Sequence, residues 1–214
     1  MQKQNPLRTL RTLGTLRTFC FFGFILILGQ ASPKPPRIVV LGDSLSEGVS
    51  IAAEDTYPAI LERKLQKDHK GATVINASIS GSTSATGPKR LRWLMRQNPA
   101  IVIIELGAND GLRGMDLAAM KKNLRESIGI AKQANVKVPL AGMKVPPNYG
   151  VPYSAQFERI FSELKTEEHV ALIPFLLANV AGDPKLNIAD GIHPNPKGHE
   201  IVAATVWEFI EPML

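Results

Sequence analysis

Two runs of β-branched and aliphatic residues constrain this chain more than anything else in it: Arg37-Ile38-Val39-Val40-Leu41 and Ala100-Ile101-Val102-Ile103-Ile104-Glu105-Leu106. Neither alternates with polar residues, so each reads as a strand covered on both faces, the usual state of strands in a parallel sheet. Two helical stretches lie between them. Residues 56–68 carry Tyr57, Ile60, Leu61 and Leu65 at helical spacing, and Leu91, Leu94 and Met95 mark a second helix ending near Asn98-Pro99. Further strands are expected at 74–77, 137–143 and 170–173, with helices at 116–134, 154–168 and 196–210. Strands alternating with helices predict an α/β domain of five parallel strands with helices on both faces. No internal repeat, low-complexity tract or second domain interrupts the pattern.

At 214 residues the chain has the length of one domain with ample core. A formal charge of +6 suggests nucleic acid or anionic lipid, but its distribution argues against both. Residues 1–31 hold Lys3, Arg8, Arg11 and Arg17 and no acid, leaving 21 basic against 19 acidic residues elsewhere. No nucleic-acid partner is expected, and no membrane contact beyond the amino-terminal segment and a lipid substrate. That segment runs from basic residues through Phe19-Cys20-Phe21-Phe22-Gly23-Phe24-Ile25-Leu26-Ile27-Leu28 to Gly29-Gln30-Ala31, the order of a secretory signal peptide. Its apolar core is short against the roughly 20 residues that span a bilayer. The reading is a signal peptide at 1–31, a Pro-rich linker at 32–36 and one domain at 37–214. It implies a periplasmic or secreted protein, membrane-anchored if the signal stays uncleaved. Arg17-Thr18-Phe19 is too polar for a lipobox on Cys20. Cleavage after Ala31 removes the one cysteine, and with it any disulfide, thiol nucleophile or thiolate metal site.

Parallel sheets bind ligands at the carboxyl ends of their strands. Ser44, in Gly42-Asp43-Ser44-Leu45, follows the first strand, where it is either a nucleophile or a cap for the next helix. Gly81 follows the second strand, Gly107-Ala108-Asn109-Asp110 the third, and Asp190-Gly191-Ile192-His193 precedes the last helix. Five parallel strands gather all four on one edge. Ester hydrolysis by serine needs a base, a group that orients the base, and donors for the oxyanion. His193 suits the base, because an unperturbed imidazole titrates near 6.5. Asp190, three residues before it, can hold its tautomer. Asn109 offers a side-chain NH2, and Gly81 and Ser44 offer backbone N–H groups.

These blocks resemble those of the SGNH (GDSL) hydrolases, in the family's order. Asn76-Ala77-Ser78-Ile79-Ser80-Gly81, Asn109-Asp110-Gly111-Leu112-Arg113-Gly114, Asn148-Tyr149-Gly150 and Asp190-Gly191-Ile192-His193-Pro194-Asn195 are similar to the bacterial periplasmic thioesterase I/arylesterase/lysophospholipase L1 branch. The resemblance runs from about Arg37 to the carboxyl terminus. It implies a three-layer α/β/α flavodoxin-like sandwich with Ser44 as nucleophile, His193 as base and Asp190 as orienter. Ser44, Gly81 and Asn109 would form the oxyanion hole. In this branch the loop matching residues 110–115 closes over the acyl chain, so Leu112 and Met115 become candidate acyl contacts, with Arg113 and Tyr149 as further candidates for substrate contact. Ala108 departs from the branch, which has a second glycine there. The implied reaction is hydrolysis of acyl esters and thioesters, including aryl esters and lysophospholipids, by a monomer without cofactor. A carbohydrate acetylesterase of the same fold is the alternative, and a flavin- or sugar-binding module the non-enzymatic one.

Other residues read more plainly. Asp43 is expected to anchor loop amides, since its charge opposes an oxyanion. Arg113 fits either a loop salt bridge or a substrate head group, and Tyr149 to Tyr153 fit either the cleft or a cover for the sheet edge. His69 and His169 are expected at the surface, and His199 in packing or at the surface. The Gly81–Gly87 stretch lacks P-loop spacing, and Gly42-Asp43-Ser44-Leu45-Ser46 is not the Gly-x-Ser-x-Gly elbow. No cluster of His and acidic residues suggests a metal.

Overall fold

The computed structural model describes Met1, residues 35–69 and residues 71–214. The expected signal peptide and most of the linker fall outside the described residues. In chain order the elements are β1 (Arg37–Leu41), α1 (Ser44–Glu47), α2 (Tyr57–Asp68), β2 (Thr73–Asn76), α3 (Gly87–Leu94), β3 (Ile101–Ile104), α4 (Ala108–Leu112), α5 (Leu117–Gln133), β4 (Pro139–Ala141), α6 (Val151–Glu168), β5 (Ala171–Ile173) and α7 (Pro196–Ile210). The strands form one parallel sheet in the order β2-β1-β3-β4-β5. Helices α2 and α7 pack on each other, and α5 packs between α3 and α6. This is the expected α/β architecture, a parallel sheet flanked by helices.

The two apolar runs lie side by side. Ile38, Val39, Val40 and Leu41 pair with Ile101, Val102, Ile103 and Ile104, and none of the eight side chains reaches solvent. Strand order reverses at this β1–β3 pair, so the connections leaving them diverge and open a crevice at their carboxyl ends.

Element boundaries differ from expectation where the chain meets special geometry. The expected strand 137–143 pairs only over Pro139–Ala141, apart from one bridge of Lys137 to Ile101. At Gly142 a Cβ would lie 2.5 Å from the Pro174 carbonyl oxygen, so the backbone leaves the sheet plane tight against the β5 exit. Helix α6 begins at Val151 rather than 154, because Pro152 occupies the first turn, where its fixed φ and missing N–H favour helix entry. The short α1 and α4, four and five residues long, carry no periodic pattern of their own.

His199 proves to be a packing residue, 1% exposed. Its Nδ1 accepts the Tyr57 backbone N–H at 3.1 Å, and the two rings stack with centroids 6.2 Å apart. Tyr57 opens α2, so this bond satisfies one of the helix's orphan donors from a neighbouring helix. Burial, assisted by the nearby His193 charge, holds His199 at about 4, against about 6.5 for a free imidazole. Below about pH 6.5 the unfolded chain therefore takes up a proton that the folded chain refuses. Stability is full above that pH and is lost as pH falls toward about 4, by on the order of 2–3 kcal/mol. Thermal unfolding followed by circular dichroism should show Tm dropping through this window. His199→Asn, whose side-chain oxygen can take the same N–H without titrating, should flatten the drop.

Candidate active site

Ser44 is the first residue of α1, set on the β1 exit by the cap that precedes it. Asp43 Oδ1 accepts the Leu45 N–H at 3.0 Å, fixing the turn. The Ser44 hydroxyl faces His193, with 2.9 Å between Oγ and Nε2. His193 Nδ1 lies 2.6 Å from Asp190 Oδ2. Asp190 also accepts the backbone N–H groups of Ile192 and His193 at 2.8 and 3.0 Å, so one carboxylate organises its own loop and the imidazole together. Partial burial raises its pKa, but the bonds from the His193 backbone, the His193 ring and Ile192 outweigh this and hold Asp190 at about 2. An ionised Asp190 requires the proton on Nδ1, which leaves the Nε2 lone pair for the Ser44 hydroxyl. The loop is closed on itself by Ile188 N–H to His193 O at 2.8 Å and by Asn195 N–H to Leu186 O at 2.9 Å, Asn195 being the cap of α7.

The oxyanion donors expected at Ser44, Gly81 and Asn109 come from three different strand exits, and all three residues line one cavity of about 580 Å³. Gly81 has φ +73°, a conformation that favours glycine. Among the described residues neither its N–H nor that of Ser44 donates to a protein acceptor. Asn109 sits in α4 directly after Ala108. Gly107 precedes that helix at φ +115°, where a Cβ would press on Met120 Sδ and Phe161. Ala108 itself is not in the left-handed region, so its methyl group costs no backbone strain and simply adds to the cavity wall.

Asp43 does more than anchor amides. Its Oδ2 accepts from Asn109 Nδ2 at 3.0 Å, which orients the amide and leaves its second N–H for a ligand. Behind it lies Glu105, fully buried, whose Oε2 accepts the Asp43 N–H at 3.0 Å and the Ser46 hydroxyl at 2.7 Å. Ser46 is in turn 2.7 Å from Tyr57 OH. Glu105 Oε1 is buried without a partner. A carboxylate with a bare oxygen in the core is costly, and burial together with the Asp43 charge drives the Glu105 pKa well up. That setting favours the protonated form of Glu105 over the carboxylate. Burial also raises Asp43, opposed by its bonds from Leu45 and Asn109.

Other substrate candidates divide. Leu112 lines the cavity; Arg113, Met115 and Tyr149 do not. The cause is helical phase, since Ala108, Asn109 and Leu112 share one face of α4 and the later residues turn away. Arg113 bonds neither a carboxylate nor the cavity interior. Its Nη2 donates to Gly81 O at 3.1 Å and approaches Asn109 Oδ1 at 3.5 Å, bridging two strand exits. Tyr149 OH donates to Leu112 O at 2.6 Å, and Tyr153 OH lies 3.4 and 3.3 Å from Gly111 O and Met115 O. Both tyrosines brace this loop from outside. Asp110 takes the Ser84 N–H and hydroxyl at 2.8 and 2.6 Å, locking the β3 exit to the segment before α3. The remaining wall is mostly apolar, with Leu45, Met143, Phe175, Leu177 and Ile192, and Lys144 is the cation on it. Sequence reading did not single these out, although Met143 and Phe175 follow β4 and β5 at the same edge.

A family model described as the GDSL-like Lipase/Acylhydrolase family matches residues 40–201. The chain is 38% identical to Esterase TesA of Pseudomonas aeruginosa over 191 residues, covering 89% of this chain and 94% of that protein. It is 36% identical to Thioesterase 1/protease 1/lysophospholipase L1 of Escherichia coli K12 over 194 residues, covering 90% and 92%. A crystal structure of the psychrotrophic esterase EstA from Pseudoalteromonas sp., inhibited by monoethylphosphonate, superposes with a TM-score of 0.78 at 34% identity, covering 82% of this chain and 97% of that one.

The Asp43–Asn109 bond can be tested directly. Asp43→Asn keeps an acceptor for Leu45 but turns an NH2 toward that of Asn109, forcing the amide to rotate. A loss in kcat of roughly a hundredfold, the scale of one oxyanion donor, is expected with little change in KM. Steady-state kinetics of the double variant Asp43→Asn/Asn109→Ala should show little loss beyond Asn109→Ala alone.

Proposed function

The chain belongs to the GDSL-like lipase/acylhydrolase family, and from that premise we propose that this serine hydrolase of the esterase class cleaves carboxylic esters and thioesters through an acyl-Ser44 intermediate. Acyl-CoA-type thioesters, aryl esters and lysophospholipids are its proposed substrates. The observation that carries the reading is the Ser44–His193–Asp190 chain of hydrogen bonds, opening on a cavity with an apolar wall.

In this mechanism Ser44 Oγ attacks the acyl carbonyl carbon while His193 Nε2 takes the hydroxyl proton. The imidazolium forms against the ionised Asp190 carboxylate, and the negative charge of Asp43 also favours it. The carbonyl oxygen becomes an oxyanion received by the N–H groups of Ser44 and Gly81 and the free N–H of Asn109. Collapse expels the alcohol or thiol, which leaves with the proton from His193. Water then attacks the acyl-enzyme as His193 takes its proton, and the carboxylic acid departs with Ser44 regenerated.

Membership of a hydrolase family sets aside the flavin- or sugar-binding module. A carbohydrate acetylesterase needs room for a sugar and little for an acyl chain. Met143, Phe175, Leu177 and Ile192 on the wall favour the longer chain instead. The order of the amino-terminal segment supports export to the periplasm or beyond, and we expect the domain to act as a monomer.

Ser44→Ala should abolish hydrolysis of nitrophenyl esters and acyl-CoA. Asn109→Ala should lower kcat roughly a hundred- to a thousandfold while circular dichroism shows an unchanged fold; near-normal turnover would remove Asn109 from the oxyanion hole. Across esters from acetyl to dodecanoyl, kcat/KM should rise beyond acetyl, whereas a strict acetyl preference would favour the acetylesterase. Activity should also fall in acid. Since Asp190 stays ionised down to about pH 2, its own titration does not set the acid limb, and a flat profile from about pH 8 to about pH 4 would count against His193.

A further inference from the structure

We propose that the outer face of α3, with Ile79 beside it, docks the protein onto an anionic lipid surface. A groove of about 830 Å³ runs between the β2 exit and α3, lined by Ala77, Ile79, Lys89, Trp93 and Leu94 among others. Trp93 is 59% exposed and Ile79 54%, two large apolar side chains standing in water on one patch. Isolated exposed apolar residues are ordinary, but a tryptophan and an isoleucine on one groove rimmed by cations are the side chains that settle at a bilayer interface.

Charge complementarity identifies the occupant. No acidic residue occurs from residue 69 to residue 104, and Lys89, Arg90, Arg92 and Arg96 all fall on α3 or the turn that ends it. The modest charge of the domain as a whole hides this local concentration. Lys89, Arg92, Trp93 and Arg96 form one exposed stripe at helical spacing. Among the described residues Lys89 and Arg96 make no ion pair, while Arg92 meets the exposed Glu126 at 2.6 Å. Arg90 turns inward, donating to Ala77 O, to Gly42 O at 3.2 Å and to Ser82 Oγ at 2.9 Å. The nearest acid on the loop side, Glu47, accepts from Ser80 N–H at 2.7 Å and from its hydroxyl. The stripe thus presents cations around an aromatic anchor, a match to the negative potential of an anionic leaflet.

The patch joins the candidate active site through a single loop. Ala77, Ser78 and Ile79 line the groove, and the next two residues, Ser80 and Gly81, line the catalytic cavity. A lipid surface held by Trp93 and Ile79 therefore lies beside the cavity that takes an acyl ester. The value of docking to catalysis rests on the proposed function, but docking itself does not.

The full chain carrying Trp207→Phe leaves Trp93 as its one tryptophan. With vesicles of phosphatidylcholine containing phosphatidylglycerol, its emission should shift to shorter wavelength and the protein should co-sediment. Phosphatidylcholine alone, or about 0.5 M salt, should prevent both. Trp93→Ala, and separately Lys89→Glu/Arg96→Glu, should weaken co-sedimentation roughly tenfold or more and leave hydrolysis of a soluble acetyl ester unchanged. Co-sedimentation of these two variants, made in the chain that keeps Trp207, gives the same readout if Trp207→Phe folds poorly. Undiminished binding of both variants, as expected if the apolar segment of residues 19–28 does the binding, would overturn the proposal. So would an unshifted Trp93 emission. A protein that binds vesicles but hydrolyses no ester would overturn the proposed function and leave the docking surface standing.

Discussion

The hydrogen bond from the Asp43 backbone N–H to the buried carboxyl of Glu105 is the contact on which the rest of the site depends. It crosses from the exit of β1 to the exit of β3, the two strands between which the sheet order reverses. Gly42 makes it possible, since a Cβ there would lie 2.5 Å from Glu105 Oε2 and 2.6 Å from Ser46 Oγ. With the β1 exit pressed onto β3, Asp43 caps the turn holding Ser44 and reaches across to Asn109. The serine and the amide donor thereby share a reference frame. A second bracket, Asp110 on Ser84, draws in the segment that follows Gly81. Preorganisation of this sort, with donors fixed before charge develops, is where most electrostatic catalysis originates.

The site balances three acidic groups by environment. Asp190, solvated and hydrogen-bonded, is held ionised beside the base. Glu105, buried with one oxygen unpartnered among the described residues, is pushed toward its protonated form. Asp43 lies between them, bound by donors and pushed up by burial. In the proposed mechanism negative charge at Asp43 would favour the imidazolium and oppose the oxyanion, and its bond to Asn109 would turn that cost into orientation.

Much of this was legible in the sequence, for identifiable reasons. The continuous apolar runs could only be strands covered on both faces, and a parallel sheet brings strand exits to one edge, so Ser44, Gly81, Asn109, Asp190 and His193 converge without long-range information. His199 stayed open between packing and the surface, and only the structure shows it on the buried face of α7 with Val202, Ala203, Val206 and Ile210. What stayed hidden depends on direction rather than pattern. Nothing local tells whether an apolar residue after a strand, such as Phe175 or Leu177, points into a cavity or into the core. Arg113 bonds carbonyl oxygens that no motif encodes, and the turn that carries Leu112 inward carries Met115 out. The bulk charge count, finally, averaged away the cations clustered on α3.

The proposed nucleophile and its proposed base come from distant parts of the sequence, Ser44 and His193. Ser44 lies just after the first strand, whereas the Asp190–His193 loop immediately precedes α7, which packs on α2 and caps it through His199. Until that last helix docks, Ser44 is an ordinary alcohol with no acceptor for its proton. A chain emerging during synthesis therefore lacks the assembled site. In the proposed mechanism hydrolytic power arrives only with the completed fold, so the topology itself delays activity.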